Sequence, residues 1–115
     1  MNILEGQAWR YRRRDCDKDS YLIIRKITDE TPRVIHITIK NIQVGFENLD
    51  INHLPVSFDI LCQDLLSIIN TNTPQDYGDF CESYEIWKNE NGGVWNIPLK
   101  DIIDYSIECL QKGGE

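Results

Sequence analysis

The sequence has no long apolar run. Its longest, such as Tyr21–Ile24, fall far short of the roughly 18–20 residues a bilayer span requires, so no transmembrane helix is expected. Histidine is scarce. His36 and His53 are the only two, and neither stands at metal-ligand spacing from the other or from a cysteine. No metal and no cofactor is therefore expected. The seven glycines form no phosphate-cradling loop, dinucleotide fingerprint or nucleophile elbow, and Gly92-Gly93 reads as a helix stop. The four cysteines, Cys16, Cys62, Cys81 and Cys109, contain no C-x-x-C pair. Met1–Glu5 lacks the basic and apolar regions of a signal peptide. The expectation is a cytoplasmic protein with reduced thiols, Cys62 and Cys109 serving as small core residues.

What is present is charge, unevenly spread. The net formal charge is −7 over 115 residues. Residues 1–40 hold nine Lys/Arg against six Asp/Glu, a net of +3, whereas residues 41–115 hold three Lys against thirteen Asp/Glu, a net of −10. Such a field attracts basic proteins and repels nucleic acid over most of the surface. It also serves plain solubility.

At this length one domain over residues 1–115 is expected. Gln7–Arg12 alternates, with Trp9 and Tyr11 on one face and arginines on the other. Tyr21–Ile27 reads as a more buried strand, and Val34–Lys40 places Ile35, Ile37 and Ile39 inward. Ile42 and Val44 then continue the apolar face in the opposite phase, which predicts a β-bulge near Lys40-Asn41. Gly45–Pro55 reads as a loop or short edge element. Ser57 is a plausible N-cap for a helix over Phe58–Ile69, with Phe58, Leu61, Leu65 and Ile68/Ile69 on one side.

Thr73 as N-cap with Pro74 at the first helical position opens a second helix. Phe80, Tyr84 and Trp87 form its apolar stripe, and Asn91-Gly92-Gly93 ends it. Val94–Ile97 reads as a short strand, and Pro98 opens a last helix bearing Leu99, Ile102/Ile103, Ile107 and Leu110. The fold class is α+β: an antiparallel β-sheet, built from an N-terminal meander plus a short C-terminal strand, with two to three helices packed on one face.

Two surfaces stand out. Arg10, Arg12, Arg13 and Arg14 interleave with Trp9 and Tyr11. That pattern suits phosphate and base contacts, and equally an edge strand whose arginines pair with Asp15, Asp17 and Asp19. The second surface is the helix bearing Asp76, Tyr77, Asp79, Glu82 and Glu85. It reads either as a solvated face or as a patch offering carboxylates to a cationic partner.

Three stretches carry a resemblance: Glu5-Gly6-Gln7-x-Trp9-x-Tyr11 with Arg13 and Arg14, followed by Ser20-Tyr21-Leu22-Ile23-Ile24; Val34–Ile39; and Gly93-Val94-Trp95-Asn96-Ile97-Pro98 leading into a helix. In these the chain resembles a family of small bacterial proteins. Acidic proteins of that general kind include the immunity proteins of contact-dependent growth inhibition and related toxin systems. The resemblance implies a non-enzymatic protein that binds a basic toxin domain, often a nuclease, and occludes its active site. Asp76, Tyr77, Asp79, Glu82 and Glu85 are then the expected contact residues. Two alternatives stand beside it. One is a nucleic-acid module using Trp9, Arg10, Tyr11, Arg12 and Arg14. The other is a small enzyme or ligand-binding domain built around His36 or His53 beside a cysteine or carboxylate.

Overall fold

Alternating stretches of aliphatic and aromatic residues form the five strands of the sheet. The computed structural model describes residues 3–28, 33–73 and 78–113. The elements run β1 (Ala8–Tyr11), β2 (Tyr21–Ile27), β3 (Val34–Val44), β4 (Glu47–Ser57), α1 (Phe58–Asp64), β5 (Leu65–Asn70), α2 (Gly78–Asn89) and α3 (Leu99–Gly113). The strands form one antiparallel sheet in the order β4-β3-β2-β1-β5. The α+β architecture and the N-terminal meander are as the sequence predicts.

The expected bulge is present. Asn41 adopts φ 61°, and the β3–β4 register slips between Ile39 and Ile42. The extra residue returns Ile42 to the face of Ile35, Ile37 and Ile39, all four of them buried. Asn tolerates the left-handed region better than any β-branched residue would.

Two elements differ from the expectation. Gly45–Pro55 is not a loop, because β4 runs through it as a full partner of β3. The turn is only Gly45-Phe46, with Gly45 at φ 62° in the first central position, as a type II′ hairpin requires. The strand is disguised by a change of phase: its inward residues are Leu49 and Ile51, then Leu54 and Val56. The second difference lies in the Phe58–Ile69 helix. Ser57 does cap it, accepting from the Ile60 N–H at 3.2 Å, but the helix ends at Asp64 and Leu65–Asn70 is a strand. The outer edge of β1 needs a partner for its backbone groups, and β5 supplies one through Trp9↔Ile68 and Tyr11↔Leu65. α1 thus carries the chain from one edge of the sheet to the other.

The main core lies on the face of Tyr11, Leu22, Ile24, Ile37 and Val56, beneath α1 and α3. Leu99, Ile102 and Ile103 of α3 are fully buried there, each contributing about 1.5–3 kcal/mol. The Leu99 N–H, which has no partner within its own helix, donates to the Asp64 carboxylate at 2.7 Å. The expected strand at Val94–Ile97 reduces to a single parallel bridge between Trp95 and Val56. Cys62 packs against the core as expected, whereas Cys109 is exposed on the outer side of α3.

The helices do not share one face. His36 alternates with Ile35 and Ile37, so it points to the opposite side of the sheet, and there it meets Tyr84 and Trp87 of α2. The sheet is covered on both sides because β3 is apolar on one face and carries Val34, His36 and Thr38, all buried, on the other. No helix among the described residues is long and apolar enough to cross a membrane.

Candidate functional site

α2 has two distinct faces. Phe80, Tyr84 and Trp87 fall at i, i+4 and i+7, one stripe of a helix, and this stripe lies on the sheet. Beneath it is a polar layer. A bulge in β2 makes Arg25 an extra residue between the pairs Ile24↔Ile37 and Lys26↔His36. That turns both Arg25 and Lys26 toward α2. The Arg25 guanidinium sits 4.6 Å from the Phe80 ring centroid and the Lys26 ammonium 4.9 Å from that of Tyr84. Arg25 also donates to the Thr38 hydroxyl at 3.1 Å, which itself donates to the Asn52 carbonyl at 2.7 Å.

At the centre, His36 Nδ1 and His53 Nε2 are 2.8 Å apart. Their rings are nearly parallel, at 13° with centroids separated by 5.0 Å, a spacing that an N–H···N bond in the ring planes produces. His36 is fully buried. Burial, the neighbouring His53 and the Lys26 charge push its pKa down to about 4, and burial lowers that of His53 as well. Both rings are therefore neutral at pH 7. They are covered by Phe80, Tyr84 and Trp87 at 4.6–6.2 Å. Among the described residues the hydrogen bond of this pair runs between the two histidines and involves neither a cysteine nor a carboxylate. Nearby, a cavity of about 210 Å³ opens between β2 and α2, lined by Glu5, Arg25, Lys26, Cys81 and Glu85 together with Phe80 and Tyr84. No group of three potential metal ligands occurs among the described residues.

Trp87 is fixed by the end of its own helix. Asn91 takes φ 51°, the Gly92 N–H donates to the Trp87 carbonyl at 2.8 Å and the indole N–H to the Gly93 carbonyl at 2.9 Å. The first two are the marks of a Schellman stop. A Cβ on Gly92 would stand 2.1 Å from Trp87 Cδ1. Gly92→Ala is therefore expected to drive the indole off His36 and cost roughly 1–3 kcal/mol. The checks are a lower thermal midpoint and a red-shifted tryptophan emission. Unchanged emission would refute this account of the Trp87 seat.

The other face of α2 points to solvent. Glu82 and Glu85 are exposed there, as the sequence predicts, and Glu90 follows past the helix end. Asp79 lies in the first turn of α2, its side chain outside the described set. Asp76 and Tyr77, with the Pro74 helix start, lie outside the described residues. Ile86 was not anticipated: it is 52% exposed, between Glu82/Glu85 and Glu90. It lies off the Phe80–Tyr84–Trp87 stripe, and that offset was the available signal.

The arginine-rich strand divides differently. Trp9 and Tyr11 belong to the core, at 8% and 0% exposure, so they offer no stacking face to a base. The Trp9 indole donates to Gln7 Oε1 at 2.9 Å. The Ser20 hydroxyl donates to the Lys40 carbonyl, leaving the Tyr11 hydroxyl to donate to Ser20 at 2.7 Å. Burial pushes the Tyr11 phenol up to about 12. Arg14 pairs with Asp17, as one reading of the sequence held, and also reaches Asp104 and the Gln43 carbonyl. Arg10, Arg12 and Arg13 are not tied to any carboxylate among the described residues. No protein-family model, curated protein or solved structure matches this chain.

Proposed function

We propose that this chain is a binding protein that docks a basic protein on the outer face of α2, in the manner of an immunity protein occluding a toxin domain. The observation that carries the reading is the two-sidedness of α2. Its aromatic stripe is consumed by packing, yet its outer face presents an exposed aliphatic side chain, Ile86, among the carboxylates Glu82, Glu85 and Glu90. An apolar centre within an acidic margin gives a partner both a desolvated anchor and electrostatic steering. Three exposed free thiols, Cys16, Cys81 and Cys109, fit a reducing compartment and hence the cytoplasm.

The test uses as the binding partner a basic protein that this chain captures from its native host. The double substitution Glu82→Lys/Glu85→Lys is expected to weaken binding by at least about tenfold and to flatten its salt dependence. Ile86→Ala is expected to raise the dissociation rate while leaving the salt dependence alone. Both positions are exposed, so the thermal midpoint should hold. Unaltered affinity in both variants would remove α2 as the interface.

A further inference from the structure

A second surface lies on the other side of the charge divide. The chain after β1 and the N-terminal end of β5 enclose an open groove of about 570 Å³ lined by Tyr11, Arg12, Arg13, Arg14, Asp15, Lys18 and Leu66. Arg14 is spent on Asp17, Asp104 and the Gln43 carbonyl. The other three cations are not. Among the described residues no carboxylate pairs with Arg12, Arg13 or Lys18. Arg12 uses only its Nε, donating to the Gln63 carbonyl at 3.2 Å. Arg13 Nε is buried without an acceptor, and no ion pair engages its guanidinium among the described residues.

The fourth wall is apolar and placed by a bulge. β5 pairs Arg10↔Ser67 and Tyr11↔Leu65, so Leu66 is an extra residue with no opposite number in β1. The bulge aims this half-exposed leucine into the groove. Beyond it the exposed Ile68 and Ile69 continue an uncharged ridge along the outer strand of the sheet.

We infer that this groove binds an extended acidic segment of a partner protein, with adjacent carboxylates on Arg12, Arg13 and Lys18 and a following aliphatic side chain on Leu66. Charge complementarity selects the occupant. The groove is a basic island on a chain of net charge −7, and guanidinium groups bind carboxylates in a bidentate fork. A nucleic acid would bring phosphates to the same cations, but single-strand binding relies on aromatic platforms. The two aromatics of β1 are turned into the core. A second copy of the chain, paired antiparallel through β5, would set Asn70–Thr73 against the groove, and that stretch carries no charge.

The experiment titrates the full chain into a labelled Glu-Glu-Leu-Ile-Ile peptide at low salt, reading fluorescence anisotropy. Three comparison probes are used: the Gln-Gln-Leu-Ile-Ile peptide, an all-glutamate peptide and an oligothymidylate of matching length. Saturable binding of the first probe is expected, weaker by at least about tenfold for each peptide control. Arg12→Gln/Arg13→Gln and, separately, the exposed-site variant Lys18→Glu should each weaken it about tenfold or more. Glu82→Lys/Glu85→Lys should not weaken it, which separates this groove from the α2 interface. Absence of saturable binding, equal affinity for the glutamine peptide, tighter retention of oligothymidylate, or insensitivity to Lys18→Glu would each overturn the inference.

Discussion

Asp17→Ala is expected to cost roughly 3–5 kcal/mol, the penalty for breaking a buried ion pair from one side. Asp17 is 1% exposed and lies in the turn between β1 and β2. One oxygen accepts from Arg14 Nε at 2.8 Å. The other accepts from Arg14 Nη2 at 2.9 Å and from the Gln43 N–H at 2.8 Å. The Cys16 thiol adds a weak contact at 3.7 Å. One carboxylate therefore fastens the first turn of the sheet to the far end of β3, and Arg14 extends that tie to Asp104 on α3. Burial raises the Asp17 pKa, but the Arg14 and Gln43 hydrogen bonds outweigh it and the net displacement is downward. Truncation leaves the Gln43 N–H without its acceptor and the Arg14 guanidinium with only the exposed Asp104 and the Gln43 carbonyl. Against a total of about 5–15 kcal/mol for a domain, the loss is large. It should appear as a lower urea midpoint at unchanged slope, and Asp17→Asn, which keeps one acceptor, should lose less. Arg14→Met with Asp17→Ala should cost less than the sum of the single changes. Strict additivity would mean that the two side chains do not act on each other.

Acid should weaken the protein through its buried histidine pair as pH falls from about 6.5 toward 4. His36 has its pKa pushed down from 6.5 to about 4 by burial, by His53 and by the Lys26 charge, while the unfolded chain titrates near the ordinary value. Between those two pH values the unfolded chain binds more protons than the folded one. Stability therefore rises with pH across this window and is lost as pH falls from about 6.5 toward 4. The full effect is on the order of 3 kcal/mol at about 1.4 kcal/mol for each unit, and His53, lowered by burial, acts in the same direction. Asp17 works in a separate window. Its carboxyl is held below 3.8, so its contribution persists down to that pH and falls away beneath it. Urea midpoints at pH 7 and 4.5 should thus differ in the wild type and differ by less in His36→Leu, where only His53 still contributes. A wild-type midpoint independent of pH over that range would contradict a neutral, buried pair.

The meander was legible because period-2 alternation in Trp9–Tyr11 and Ile35–Ile39 has one simple solution, and the odd spacing from Ile39 to Ile42 announced the bulge. β4 was hidden because its apolar positions change phase between Ile51 and Leu54, which erases the alternation a strand would show. β5 was hidden for a different reason. Leu65, Ile68 and Ile69 fit a helical stripe as well as a strand with two extra residues, and only the vacant edge of β1 decides between them. The α2 stripe was read correctly, as was the outward position of Glu82 and Glu85. Its place on the second face of the sheet was not, because His36 and Thr38 look like solvent-facing residues until an aromatic helix covers them. The pairing of Arg14 with Asp17 was among the readings of the sequence, but nothing in the sequence separated Arg14 from Arg12 and Arg13, which pair with no carboxylate among the described residues.

The crossing made by α1 bears on the order in which the sheet assembles. β1 through β4 join as successive hairpins, each closing a short stretch of chain. The pairing of Tyr11 with Leu65 closes a loop that contains the whole meander, and loop-closure entropy grows with the length enclosed. The sheet thus combines rapid local zippering with one slow, long-range step. Until β5 arrives, β1 is a bare edge and Trp9 and Tyr11 lack their neighbours Ile68 and Leu65. The last strand to join is also the one whose Leu66 forms the wall of the basic groove, so that groove exists only in the completed sheet.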